Sequence, residues 1–263
     1  GVSDYFSFPV PVAHSQDPVW LESVVRAVQA ALPTHDLFKI DRFDRGLSRP
    51  CRSFPNAKHS MDLGISAWAH RFQPAEDGSF DHTFKPSLRK RIRRRKRRME
   101  ETVGRKVTFH WPPDDLSALD IYWNIRRRRF EATGIIDTLE DHWLEFYKRA
   151  ASKSDDEFAF NLSILQDGDD RVVSASIGVR FKTTYVGLGT TFEPALHPNL
   201  SPGHQVAYEA MGEALRRGVE VFDRSIGDQP YKKWFGCEGR KIETVFMPSS
   251  PLGHLAHQVW SFK

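Results

Sequence analysis

The chain has 263 residues, of which 40% are hydrophobic and 27% charged, and a formal net charge of +4. That is long for one domain and short for two full ones, with the composition of an ordinary soluble globular protein. No apolar run reaches the roughly 18 residues of a membrane span, no signal peptide is visible, and the separated Cys51 and Cys237 give no evidence for a disulfide framework and suit a reducing cytoplasm.

The charge is local. Residues 89–98 hold nine basic side chains, and taking those nine from +4 leaves the rest of the chain at −5. In chain order, Asp4 to Val12 reads as a strand broken at Pro9 and Pro11, Pro18 to Leu32 as a helix, and Leu37 to Phe43 as a strand. Residues 44–60 lack periodicity and read as a loop; Met61 to Trp68 is a short apolar strand. Pro86 opens a helix to Thr102 with a single apolar stripe of Leu88, Ile92 and Met99. A strand over Val107 to Trp111 follows, then helices over Asp115 to Thr133 and Thr138 to Ser152. In the first of these, Arg126 to Arg129 reads as surface charge flanking a core face. Three strands at hairpin spacing come next, over 157–166, 171–181 and 183–192, the first two joined by the turn pair Asp167-Gly168.

The stretch from Leu200 to Phe235 organises the rest. Ser201 suits a helix N-cap, Pro202 the first helical position, and Gly203 a close backbone approach. Val206, Ala210, Met211, Ala214 and Leu215 share one helical face, and Gly218 ends the helix. Val219 to Phe222 reads as a buried strand ending at Asp223; a short helix near Tyr231–Phe235 and a last strand over Lys241 to Met247 close the chain. A helix start offers free N–H groups and partial positive charge, hence a seat for a phosphate. The same residues also suit a plain cap on a core helix, and spacing leaves both open.

Ser201-Pro-Gly before a helix, then Arg217 to Asp223, then Gly227-Asp-Gln-Pro-Tyr-Lys232, resembles the CelD-like acetyltransferases, GNAT-fold proteins related to the Fem aminoacyltransferases. The likeness extends to the arginine-rich helix beginning at Leu88 and to Val2-Ser-Asp-Tyr5. It implies an α/β fold with a mixed central sheet flanked by helices. Residues 1–60 would be the remainder of a first GNAT-like half and 61–263 the acyltransferase domain, with the start of a longer protein missing. The strands at 183–192 and 219–224 would part to admit acyl-CoA, with the 202–217 helix between them.

On that resemblance, the backbone at Thr190 and Thr191 would hold the pantetheine arm, and Ser201, Pro202, Gly203, His204 and Gln205 the pyrophosphate. The Arg/Gln-x-x-Gly-x-Gly/Ala loop of standard GNAT enzymes is absent, and Ser-Pro-Gly stands in its place. Lys232 would stabilise the developing oxyanion. Asp223 and Asp228 are candidate bases, or they hold Lys232 and the ligand; Asp223–Lys232 also reads as a plain structural ion pair. Tyr231 would face the substrate, with Trp234 and Phe235 beside it in the core or the acyl pocket. Arg89 and Arg93 would turn toward ligand phosphates.

The acceptor would be an amine or hydroxyl of a sugar, polysaccharide precursor or similar metabolite, and no metal is expected. Two other functions fit the basic helix: a Fem-like transferase using aminoacyl-tRNA, and a non-catalytic protein binding nucleic acid or an anionic membrane surface on a GNAT scaffold.

Overall fold

The computed structural model describes residues 18–44, 59–72, 83–111, 117–137, 141–155, 157–168 and 171–261. The strand read over Asp4 to Val12, and most of the loop read over 44–60, lie outside them. The chain divides into two compact units, Gly1–Trp68 with Ser225–Asp228 and Gly239–Lys263, and Ala69–Arg224 with Gln229–Glu238.

The first unit holds helix α1 (Pro18–Ala31), strand β1 (Leu37–Asp44), most of β2 (His59–Arg71) and of β8 (Glu238–Pro248), and helix α7 (Pro251–Ser261). The strand order is β1-β8-β2, with β1 antiparallel to β8 from Leu37 opposite Pro248 to Asp44 opposite Ile242. Helix α7 was not expected, because the sequence reading stops at the strand before it. Its start signal is present: the Ser250 hydroxyl accepts the Gly253 N–H at 3.2 Å, and Pro251 takes the first turn. Gly253 lets α7 lie against β1's lead-in, since a Cβ there would come within 1.8 Å of the Asp36 carbonyl oxygen.

The second unit carries the expected order. It runs α2 (Pro86–Val103), β3 (Thr108–His110), α3 (Ser117–Thr133), α4 (His142–Ala151), β4 (Phe158–Gln166), β5 (Val172–Phe181), β6 (Thr184–Phe192), α5 (Pro202–Arg216), β7 (Val221–Ile226, its last two residues in the first unit) and α6 (Pro230–Trp234). β3, β4, β5 and β6 form an antiparallel ladder, and β7 joins β6 in parallel.

Strand alternation sorts the helices onto two faces. Ala175 and Ile177 pack with Leu119, Tyr122 and Trp123 of α3 and Tyr147 of α4. Ser174 and Ser176 point the other way, and opposite them on β6 stand Phe192 and Thr190, against which Gly203 of α5 lies. On that side Val206 of α5 packs with Met99 of α2, Val107, Leu165 and Val173. The predicted stripe of α2 is therefore its buried face: Leu88, Ile92 and Met99 are all buried.

Two local expectations change. Ser201 is not a side-chain cap: it sits in the left-handed region at φ 52°, after a 3-10 turn over Pro198–Leu200. Asp223 does not end its strand but lies within β7, which runs on to Ile226. Gly218, at φ 80°, does end the helix, and the Val219 N–H returns to the Ala214 carbonyl at 3.0 Å.

Candidate active site

The site begins where two strands separate. β6 and β7 pair at Thr184–Val221, Tyr185–Phe222 and Val186–Asp223, and the ladder ends there although β6 continues to Phe192. From Gly187 onward the β7-side edge of β6 is not paired with β7. This is the opening expected between these two strands, and Asp223 stands at its apex.

The start of α5 lies at the far end of β6. A Cβ on Gly203 would be 3.3 Å from the Phe192 ring and 3.7 Å from the Thr190 methyl, so glycine allows the helix to approach the strand closely. The backbone donors expected there are largely spent. Pro202 has no N–H, and the N–H groups of His204 and Gln205 turn back on the Ser201 carbonyl at 3.0 and 3.3 Å. The Gln205 side chain is buried and gives its amide to the Leu200 carbonyl at 3.3 Å.

Positive charge at this point comes from arginines instead. Arg95 of α2 donates to the Ser201 hydroxyl at 2.9 Å. Arg129 of α3 donates to the Thr190 carbonyl at 2.9 Å and stacks on the Phe192 ring at 4.5 Å. Arg91 lies over the Trp234 indole at 4.4 Å, and Arg224 over the Phe235 and Tyr231 rings at 4.9 and 5.2 Å. His204 stands among them, its ring 5.5 Å from Tyr231 and 5.9 Å from Trp234. Burial, and then the charges of Arg224, Arg95 and Arg91, push its pKa down to about 4, so the imidazole is neutral near pH 7. A neutral histidine among guanidinium groups at a helix start leaves the positive charge there uncompensated by His204, an arrangement chemically able to hold an anion.

Thr190 and Thr191 both fall on this stretch of β6, but their polar groups are engaged differently from the expectation. The Thr190 hydroxyl meets Ser176 Oγ at 3.1 Å, and its carbonyl is the one held by Arg129. The Thr191 carbonyl takes the Ser174 hydroxyl at 2.7 Å, while its own buried hydroxyl has no partner.

Beyond the apex, α6 turns Lys232 and Phe235 inward and Tyr231 and Trp234 toward His204. Lys232 is 2% exposed and Asp223 4%. Burial pushes the neighbouring Cys237 thiol up to about 11, against the charges of Arg224 and Lys232 and with that of Asp223. The Cys237 N–H also donates to the Lys232 carbonyl at 3.1 Å. Lys232 and Asp223 are thus both buried, and the charge of each acts on the Cys237 thiol. Asp228 belongs to the other unit, where its carboxylate accepts the Trp68 indole N–H at 3.0 Å. Arg93 is exposed and Arg89 half-buried; the α2 arginines that act on the α5 start are Arg91 and Arg95.

The family model described as acetyltransferase (GNAT) domain matches residues 86–233, more than half of the chain, from α2 to Lys233 of α6. The chain belongs to the GNAT acetyltransferase family. It is a transferase by that membership, and acyl-CoA is the general donor of GNAT enzymes. The crystal structure of FemX superposes on 96% of this chain and 82% of its own with a TM-score of 0.67 at 11% identity. The C-terminal domain of a putative lysylphosphatidylglycerol synthetase from Agrobacterium fabrum covers 92% of this chain and 76% of its own, at TM-score 0.56 and 10% identity. L-PGS from Bacillus licheniformis covers 93% and 77%, at TM-score 0.56 and 11% identity. At such identities the likeness is one of fold. No curated protein sequence matches the chain. Among the described residues no helix is long and apolar enough to cross a membrane.

Proposed function

We propose that this GNAT protein moves an acetyl or related acyl group from acyl-CoA to an amine or hydroxyl of a sugar, polysaccharide precursor or similar metabolite. The reading includes the CelD-like subtype, on Ser201-Pro-Gly and Gly227 to Lys232, and a cytoplasmic setting suited to separated, reduced cysteines. One observation carries it: the unpaired edge of β6 leads directly to an α5 start ringed by Arg91, Arg95, Arg129 and Arg224. An amide-rich arm suits a strand edge, and a pyrophosphate suits four guanidinium groups.

In the transfer, the acceptor's nitrogen or oxygen attacks the thioester carbonyl carbon. The C–S bond breaks as the new bond forms, and the proton lost by the acceptor ends on the departing thiol. We assign Lys232 to the carbonyl oxygen, where negative charge develops, and Asp223 to holding Lys232 or taking the acceptor's proton. The burial of both side chains supports that division, because a lysine and a carboxylate out of water need partners of opposite charge.

The test is thiol release from acetyl-CoA with a panel of amino sugars and other amines, comparing wild type with Lys232→Met. Turnover should fall roughly a hundredfold, as for loss of one oxyanion donor, with acetyl-CoA affinity retained. Unchanged turnover removes Lys232 from the chemistry.

A second reading, aminoacyl transfer from charged tRNA, is favoured by the outer face of α2. Lys90, Arg93, Arg94, Arg97 and Arg98 are all exposed and fall at i, i+3, i+4, i+7 and i+8, one continuous basic stripe. Such a stripe suits a phosphate backbone, and binding through it would weaken steeply with salt.

A further inference from the structure

One aromatic surface beside the arginine site has no part in the transfer described above. Helix α6 is divided by its own period: Lys232 and Phe235 are buried, while Tyr231 and Trp234, also three residues apart, flank the α5 start. Trp234 keeps 41% of its surface exposed, while Phe235 next to it is fully buried. It is not adrift. Arg91 lies over its ring at 4.4 Å, and His204 meets it edge-on at 5.9 Å, so the indole is held at a fixed angle at the rim of the cationic pocket. Tyr231 is held likewise by Arg224 at 5.2 Å.

A flat, oriented, half-open indole next to several guanidinium groups matches a ligand that carries an aromatic base on one side of a phosphate group. Packing alone needs no such exposure, and the cationic pocket alone needs no such ring. We propose that Trp234, steadied by Arg91, is the stacking platform for the adenine base of the donor nucleotide, so that the base end of the ligand is read at α6 and its phosphates at the α5 start. This rests on the acyl-CoA reading above and adds to it a residue that selects the nucleotide form of the donor over the shorter phosphopantetheine thioester. Stacking of a base on an aromatic side chain is worth about 1 to 3 kcal/mol, hence a loss of about tenfold or more when the ring is removed.

The experiment measures binding of acetyl-CoA and of acetyl-4′-phosphopantetheine to wild type, Trp234→Ala and Trp234→Phe by calorimetry. The expected result is that wild type prefers acetyl-CoA, that Trp234→Ala loses about tenfold for acetyl-CoA with little change for the phosphopantetheine thioester, and that Trp234→Phe recovers most of the loss. If wild type binds both thioesters equally, or if Trp234→Ala weakens both by the same factor, the platform is overturned while the acyl-CoA reading stands. If wild type binds neither thioester, both fall. A free adenine nucleotide that binds wild type but not Trp234→Ala would support the platform from the base side alone.

Discussion

The molecule carries two arginine runs on two consecutive helices of the same unit, packed on opposite faces of the sheet, and they serve different ends. On α3, each residue of the run Arg126 to Arg129 is committed. Arg126 makes a two-pronged ion pair with Asp137 at 2.8 and 2.7 Å, Arg127 pairs with Asp141, Arg128 with Glu193 at 2.7 Å, and Arg129 holds the Thr190 carbonyl. On α2 the run is split. Arg91, Arg95 and Lys96 face α5 and α6, with Lys96 on Glu209 at 3.2 Å, while Lys90, Arg93, Arg94, Arg97 and Arg98 face solvent. Arginine density therefore says little about role. What decides is where each arginine falls relative to the apolar stripe of its own helix.

The spacing makes that explicit. Leu88, Ile92, Arg95 and Met99 are one stripe of α2, and Arg91 follows Leu88 by three. Leu119, Tyr122, Arg126 and Arg129 are one stripe of α3. In both helices the arginines that continue the stripe turn inward, and two of them, Arg95 and Arg129, meet the site at Ser201 and Thr190.

The largest effect should come from the committed run. Arg126→Ala leaves Asp137, itself only 18% exposed, without its counter-charge, and removes the cation beside buried Tyr122. We expect a loss of about 3 kcal/mol, seen as a lower urea midpoint and a melting point down by several degrees. A loss under about 0.5 kcal/mol would place Arg126 with ordinary surface charge after all.

The inward–outward split of α2 is broken next. Arg95→Glu should weaken acetyl-CoA binding by roughly tenfold to a hundredfold, the worth of one charge-assisted contact, whereas Arg93→Glu should change it by no more than about twofold. Equal effects from the two would mean that the whole helix acts as an undirected positive field.

A further effect concerns pH. Because His204 has its pKa lowered to about 4 from 6.5, the unfolded chain takes up this proton before the folded one does. Its contribution to stability is complete above pH 6.5 and is lost as pH falls through about 4. Urea midpoints measured at pH 7, 5 and 4 should fall more for wild type than for His204→Gln; parallel curves would show that the imidazole is not held neutral by its neighbours.

Much of this was legible in the residues. The order of elements from Pro86 to Met247 follows from periodicity and turn residues, and the parting of the 183–192 and 219–224 strands from the resemblance to the CelD-like proteins. Three things were not. The Ser201-Pro-Gly start was read as a donor of backbone N–H groups, but the left-handed Ser201 turns its carbonyl back on His204 and Gln205 and makes its hydroxyl an arginine's partner. The sequence reading turns Arg89 and Arg93 toward the phosphates, whereas in the structure it is Arg95, in step with Leu88, Ile92 and Met99, that meets Ser201. The resemblance gives the backbone of Thr190 and Thr191 to the pantetheine, and only the three-dimensional approach of α3 brings Arg129 onto the Thr190 carbonyl. Long-range side-chain partners of this kind leave no local sequence signal.

The central claim is that acyl-CoA lies along the opened edge of β6 with its phosphates at the α5 start. It is tested most directly by calorimetric titration of acetyl-CoA into wild type and into Gly203→Glu. Glutamate is tolerated at the first turn of a helix, and its Cβ would sit 3.3 Å from the Phe192 ring, a tight but not prohibitive fit. Its carboxylate would occupy and neutralise the arginine pocket. The account requires micromolar binding by wild type and its loss in Gly203→Glu, with both proteins folded by circular dichroism. Binding of equal strength in the two would put the phosphates elsewhere, and no binding by wild type would contradict the claim outright.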